Sequence, residues 1–245
     1  MGGVRPDRWG ERRVLILGIE SSTPQIGCAL GGHEGVLASA HSARSKRHAE
    51  NLTPAIEFIC EQAQVSLSEI GLVAVDVGPG LFTGLRVGIA SAKAVAFALR
   101  VPMIGVSSLD LLAFPVRFSS RLIVTAIDAR RGELFYAFYR QVPGGVQRIS
   151  DHAVGSPADL SSELLATGEE ALLVGDGAHR YREDFDGLAR VEIVDRASSF
   201  PSASSLVQLA HARALREDYQ QIDEIAPIYL RRPDAEINWT TRDSA

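Results

Sequence analysis

Two acidic residues, Glu20 and Asp128, each end a short hydrophobic run and are followed by a polar turn. A carboxylate at a strand end, facing a cleft, is a fit ligand for a hydrated Mg²⁺ ion. The turns beside them are Ser21-Ser22-Thr23-Pro24 and Ala129-Arg130-Arg131-Gly132. A nucleotide phosphate needs a close backbone approach, usually through glycine, and the second of these turns is bulky and charged. Arg130 and Arg131 suit an anion or a partner's carboxylate, or they form a solvated hairpin tip. The loop Gly78-Pro79-Gly80-Leu81-Phe82-Thr83-Gly84 lacks the lysine and the spacing of a phosphate-binding P-loop. Gly175-Asp176-Gly177-Ala178 is a second strand-to-helix turn, weak as a lone motif. His33, His41, His48, His152, His179 and His211 form no ligand spacing, and no Gly-x-Ser-x-Gly nucleophile motif is present. Cys28 and Cys60 lie in apolar contexts and read as small core residues.

The elements that must position these groups follow from periodicity. Val14–Ile19, Ile26–Leu30 and Gly35–His41 are closely spaced apolar runs, which only an antiparallel meander can accommodate. Glu50–Gln64 carries Leu52, Ile56, Ile59 and Ala63 at helical spacing, with Phe58 off that stripe. Pro54 there places the helix start close to Asn51. Leu72–Val77 is a buried strand, and Thr83 is the expected N-cap of the helix that follows. Apart from Arg86, Ser91 and Lys93, every position from Leu85 to Leu99 is apolar or glycine. An amphipathic helix needs one apolar stripe, so this one is expected to bury two faces. Gly84, Gly88, Ala92 and Ala96, four apart, form a row over which another helix can approach. Met103–Val106 is a fifth strand, and Ser107 with Asp110 resembles a capping box.

A similar order restarts at Leu122–Asp128, with a hairpin into Leu134–Arg140 and a strand at Val146–Ile149. Helical turns at Pro157–Ala166, strands at Leu172–Val174 and Val191–Val194, and a helix over Ala203–Glu217 complete it. The two halves each begin with a strand that ends on a carboxylate, turns and returns. That pattern predicts an α/β chain with the duplicated RNase H-like, two-lobed fold of the actin/sugar-kinase/Hsp70 (ASKHA) type, with mixed sheets covered by helices. The expected lobes are residues 13–115 and 116–231, with loose termini at 1–12 and 232–245.

Composition narrows the function. The chain has 245 residues, 46% of them hydrophobic, enough to bury a full core. With 30 acidic against 25 basic residues it lacks the cationic excess that phosphate binding requires, although Arg44, Lys46 and Arg47 make a short basic run. The first 13 residues carry Arg5, Arg8, Arg12 and Arg13 without a signal-type cleavage pattern, and no apolar run reads as a membrane span. A cytoplasmic protein is the expectation.

Gly18–Thr23 (GIESST), the stretch VGPGLFTGLRVGIASAKAVA, PMIGVSSLDLLA, DARRGELFYAFYR and Pro227–Arg231 (PIYLR) together resemble the TsaB family, also called YeaZ. The resemblance runs from about residue 14 to 231. It implies a non-catalytic subunit in the synthesis of N6-threonylcarbamoyladenosine at position 37 of tRNAs reading ANN codons. In that family TsaD carries the metal and the transferase activity, TsaB pairs with it, and the ATPase TsaE joins them. ATP and metal then belong to partner subunits, this chain holds no cofactor or metal of its own, and tRNA is met only through the complex. The TsaD histidine pair is absent, and Ser107-Ser108-Leu109-Asp110 stands in its place. The family pairs through the two helices of the first half. That implies contacts from Phe58, Leu85, Arg86, Val87, Gly88, Ser91, Ala92 and Val95, and favours a homodimer when the chain is alone. Glu20, Ser21, Asp128, Arg130 and Arg131 would be a vestigial nucleotide cleft. The alternative is an ATP-using enzyme of the same fold with Glu20 and Asp128 on Mg²⁺; a peptidase is a distant third.

Overall fold

The structure, a computed structural model, describes residues 14–43 and 48–231. The basic run at 44–47 and the termini expected to be loose fall outside these residues. In the first half, β1 (Ile16–Glu20), β2 (Ile26–Gly32) and β3 (Gly35–Ser42) form the antiparallel meander. β4 (Leu72–Gly78) and β5 (Met103–Ser107) continue parallel to β1, in the order β3-β2-β1-β4-β5. The second half repeats this plan. β6 (Leu122–Arg130) pairs antiparallel with β7 (Glu133–Val142), and β10 (Ala171–Val174) and β11 (Val191–Ile193) run parallel on its other side. The third strand of this half is split into β8 (Gly145–Arg148) and β9 (Ala153–Gly155), both on β7. Ser150 makes the break, its Oγ accepting from Phe138 N at 3.0 Å where a ladder carbonyl would stand. The molecule is therefore the expected duplicated RNase H-like fold.

α1 (His48–Ala63) and α2 (Phe82–Leu99) cover one face of the first sheet. Leu52, Ile56, Ile59, Ile89, Ala92 and Ala96 pack there on Leu17, Ile19, Leu30, Val73 and Val75, with Cys28 and Cys60 in the same core. Burial pushes the Cys28 thiol up to about 12, so it is an inert packing group. The helix covering the opposite face comes from the far end of the sequence. α6 (Ala203–Ala214) sets Ala203, Leu206, Val207, Ala210 and Ala214 on Ile16, Ala29, Leu72, Ala74 and Ile104. In exchange α3 (Ser108–Ala113) leaves the first half and packs Leu109, Leu112 and Ala113 on Ile123, Ile127, Phe135 and Val174. The last face is covered by α4 (Pro157–Thr167) and α5 (Asp176–Arg180).

The lobes are thus not the contiguous spans 13–115 and 116–231. Beyond α6, Gln220 N donates to Met103 O at 3.0 Å, Ile225 enters the first core, and Ile228 N donates to Val77 O at 2.7 Å. Helical periodicity specifies which face of α6 is buried but not which sheet receives it. Several boundaries also differ. α1 starts at His48 with Pro54 inside it, so the helix lacks one interior backbone hydrogen bond, whereas a start at Asn51 would have put Pro54 in the first turn, where none is made. α2 begins at Phe82 with Leu81 as its N-cap and no side-chain cap, displacing Thr83 from that role. Ser107 caps α3 by accepting from Leu109 N, but Asp110 turns away to accept from Tyr139 OH at 2.8 Å, so no capping box closes. α6 stops at Ala214, short of Glu217. β9 was not legible as an element, and the strand-to-helix turn at Gly175–Ala178 leads only into the short α5.

α2 is also long and apolar enough to cross a membrane by length and composition, contrary to the sequence expectation. Leu85, Ile89, Ala92 and Ala96 are buried in the first lobe, while Arg86, Ala90, Ala94, Phe97 and Ala98 are exposed. Leu206 is fully buried beneath the first sheet. Leu206→Ala is expected to lower the unfolding free energy of the whole chain by about 2–5 kcal/mol in urea titration. A loss below ~1 kcal/mol would mean that α6 is not part of that core.

Candidate functional site

Glu20 ends β1 and is fully buried. Its Oε1 accepts from Ser22 N at 2.7 Å and from Ser22 Oγ at 2.8 Å, so the carboxyl is folded back onto its own turn. Asp76, on β4, is equally buried; its Oδ1 accepts from Gly78 N at 2.7 Å and Ser108 Oγ at 2.6 Å. The loop after β4 closes over the Ser21–Thr23 turn. Leu81 N donates to Ser22 O at 2.6 Å, and a Cβ on Gly80 would collide with that same carbonyl. Ser21 Oγ donates to Gly84 O at 2.9 Å, and Gly88 sits against the Ser21 side chain with no room for a Cβ. The first polar turn is therefore spent on holding α2. Burial, and then the neighbouring Asp76 charge, raise the Glu20 carboxyl well above its usual range; burial likewise raises Asp76. Asp76 was missed in the sequence because it lies inside the run Leu72–Val77, which reads simply as a buried strand, and its pairing with Glu20 is set by register.

Asp128 stands in a different setting. Its Oδ2 lies 3.0 Å from Arg130 Nη1 and 3.3 Å from Arg180 Nε. Its Oδ1 accepts from Arg130 N at 2.9 Å and Tyr181 OH at 3.3 Å. Asp128 N in turn donates to Asp176 Oδ1 at 3.1 Å, and burial pushes Asp176 up to about 6. Two guanidinium groups thus already neutralise the carboxylate that was a candidate for Mg²⁺. The hairpin tip explains the shape of the Arg130-Arg131-Gly132 turn, where all three residues have positive φ (65°, 57° and 79°). Arg131 projects from this tip, and the following Glu133 accepts from Arg231 Nη1 at 2.6 Å, tying the PIYLR segment to the hairpin. Among the described residues, Glu20 and Asp128 have no hydrogen-bond partner in common. Among the described residues no group of three His, Cys, Asp or Glu side chains is placed to hold a metal ion.

The outer surface of α1 and α2 presents different chemistry. Of the residues expected to face a partner, Leu85, Gly88 and Ala92 point inward: Leu85 and Ala92 are fully buried and Gly88 rests on Ser21. The row of small residues through Gly84, Gly88, Ala92 and Ala96 lies on the inner side of α2, all four being buried. At 100° per residue the outward row of α2 is instead Arg86, Ala90, Ala94 and Phe97, with Val87, Ser91 and Val95 half-buried on its flanks. Phe97 is 78% exposed and Phe58 of α1 is 52% exposed. Ala90, Ala94 and Phe97 were missed because a helix that is apolar all round does not reveal which side its own core takes. Arg86 is anchored at the start of this face. Its Nε donates to Tyr229 OH at 3.0 Å, and its guanidinium lies 3.9 Å from the Phe82 ring centroid. Phe82 stacks on Tyr229 with centroids 5.2 Å apart.

Comparison with known proteins agrees with this architecture. The model of a family described as TsaD, tRNA N6-adenosine threonylcarbamoyltransferase, matches residues 40–239. The tRNA threonylcarbamoyladenosine biosynthesis protein TsaB of Bacillus subtilis is 26% identical over 228 residues, covering 92% of this chain and 98% of that protein. An uncharacterized protein of Mycobacterium leprae is 34% identical over 225 residues, 90% of this chain; the chain spans only 56% of that longer relative. Among solved structures, YeaZ from Pseudomonas aeruginosa superposes with a TM-score of 0.78 at 27% identity, covering 89% of this chain and all of that one.

The two sides of α2 make opposite demands on substitution. Ala92→Asp buries an unpaired charge in the chain's own core and is expected to destabilise the chain by about 3 kcal/mol or more. Phe97→Ser, on the exposed row, is expected to change the stability of dilute protein by less than about 0.5 kcal/mol. Equal losses for the two in denaturant unfolding would contradict the assignment of faces.

Proposed function

Since the chain belongs to the TsaD-type family of tRNA N6-adenosine threonylcarbamoyltransferases, in its TsaB/YeaZ branch, we propose that it is the non-catalytic scaffold and activator subunit of a tRNA-modifying complex. That complex makes N6-threonylcarbamoyladenosine at position 37 of tRNAs reading ANN codons. The observation that carries this reading is the contrast between its two candidate surfaces. The cleft carboxylates are closed off, Glu20 by its own turn and Asp128 by Arg130 and Arg180. The outer face of α1 and α2 stands open, with Phe58 exposed on α1 and Ala90, Ala94 and Phe97 exposed on α2. An exposed apolar patch on two packed helices suits a protein partner.

In this reading the partner is TsaD, held as a heterodimer through the α1–α2 face, and TsaE joins the pair. About 800 Å² buried per partner is ordinary for such a contact. The same face pairs two copies of the chain when it is alone. ATP and metal are held by the partner subunits. The tRNA is engaged through the complex, in keeping with the net charge of −5, and the site of action is the cytoplasm. The reading as an ATP-using enzyme needs Glu20 and Asp128 on one Mg²⁺ ion, and the closed Glu20 turn weighs against it. A genuine nucleotide site would show as a rise in melting temperature with Mg-ATP, equivalent to about 2.7 kcal/mol at a hundredfold excess over Kd.

Phe97→Asp places an unpaired charge in the proposed seam while leaving the buried side of α2 untouched. Such a charge costs roughly 2 kcal/mol or more, a loss of about 30-fold in affinity. Titration calorimetry of the folded variant against purified TsaD is expected to show that loss. Wild-type affinity in Phe97→Asp would remove the α2 face from the interaction.

A further inference from the structure

The scaffold role leaves the Glu20–Asp76 pair unexplained. β1 and β4 are parallel neighbours with Ile19 opposite Val75, so the next position in register sets Glu20 beside Asp76. Each carboxyl satisfies one oxygen, Glu20 Oε1 through Ser22 and Asp76 Oδ1 through Gly78 N and Ser108 Oγ. The other two, Glu20 Oε2 and Asp76 Oδ2, are buried without a hydrogen-bond partner. Both residues are at most 1% exposed.

Among the described residues, the charges around the pair give no relief. The ionisable group acting on Asp76 from α3 is Asp110, of the same sign; from β1, Glu20 and Asp76 act on one another. Ser22 and Ser108 supply only neutral hydroxyls. Arg86, the cation at the start of α2, is turned outward to Tyr229 and Phe82. Two adjacent carboxylates cannot both stay ionised out of water without a cation. A proton on one of them converts an orphan acceptor into a donor for the other.

We propose that Glu20 and Asp76 share one proton in the folded chain and act as a pH-sensitive latch beneath the helix that carries the partner face. The mechanical path is short. Glu20 holds Ser22, whose carbonyl holds Leu81 N immediately before α2, and Asp76 holds Gly78 N at the other end of the same loop. Ser108 ties the pair to α3. Loss of the proton sets two like charges against each other at the root of this loop and loosens the start of α2. Both carboxyls titrate above their ordinary range, which fixes the sign. A raised folded-state pKa gives stability that is complete below the unfolded carboxylate pKa and is lost as pH rises through the folded value. The effect on the partner face rests on the scaffold reading; the shared proton does not.

The test is denaturant unfolding of the full chain from about pH 5 to about pH 9, for the wild type, Glu20→Gln and Asp76→Asn. The wild-type folding constant is expected to fall with rising pH, by up to about tenfold per pH unit across the titration. Glu20→Gln supplies a permanent amide donor and should flatten that slope. Parallel pH curves for the wild type and Glu20→Gln would overturn the proposal. So would Mg²⁺ that stabilises the wild type, but not Glu20→Gln, at alkaline pH, since a cation would then stand where the proton is assigned. Infrared spectroscopy covers the case in which the variants do not fold. The wild type near neutral pH should show the C=O band of a protonated, buried carboxyl, and its absence would refute the latch. If the slope and band are present but TsaD fails to bind at any pH, the scaffold reading falls and the latch stands.

Discussion

The close approach of α2 to the turn after β1 is the contact on which the rest of the molecule depends. Two glycines make it possible. Gly80 lets the loop after β4 touch the Ser22 carbonyl, and Gly88 leaves room for the Ser21 side chain, whose Oγ donates to the backbone O of Gly84. A methyl group at Gly80 or Gly88 would push the helix away from the sheet. The same contact fills the space beside Glu20, so one packing decision both fixes α2 in place and closes the first half of the cleft. In a duplicated fold of this type the cleft is the natural place for a ligand. Here the turn after Glu20 is taken up in holding α2. What remains outward on the helix is a row of small residues ending in an exposed phenylalanine.

A second constraint joins the two halves. α3 packs on the second sheet and α6 on the first, and the residues after α6 return to Met103, Val77 and the α2 loop. Neither half has its full set of covering helices without the other. The PIYLR segment extends this linkage: Tyr229 stacks on Phe82 and meets Arg86, while Arg231 reaches Glu133 on the hairpin of the second half. The segment therefore touches the start of α2 in the first half and the hairpin of the second. That geometry suits a subunit whose surface must be presented rigidly to a partner, because preorganisation reduces the entropy lost on association.

Much of this was legible in the residues. The strands stood out as short branched runs of the right length, and the repeated strand–carboxylate–turn order gave the duplicated fold. What could not be read has definite physical causes. α2 is apolar on every side, so periodicity identified a helix with two buried faces but not which face was which; Leu85, Gly88 and Ala92 went to the wrong one, and Phe97 was passed over. Asp76 was hidden because its significance comes from Glu20 on the neighbouring strand, a relation set by register rather than by local sequence. Glu20 and Asp128 matched in sequence pattern but not in surroundings, since Arg180 and Tyr181 reach Asp128 only through the placement of α5. The swap of α3 and α6 was invisible for the same reason: amphipathicity specifies a buried face, not its partner.

The most direct measurement is reconstituted tRNA modification with purified TsaD, TsaE and a source of threonylcarbamoyl-adenylate, with and without this chain. The scaffold account predicts modified adenosine only when the chain is added, and none from the chain alone. Equal modification without it would contradict that account.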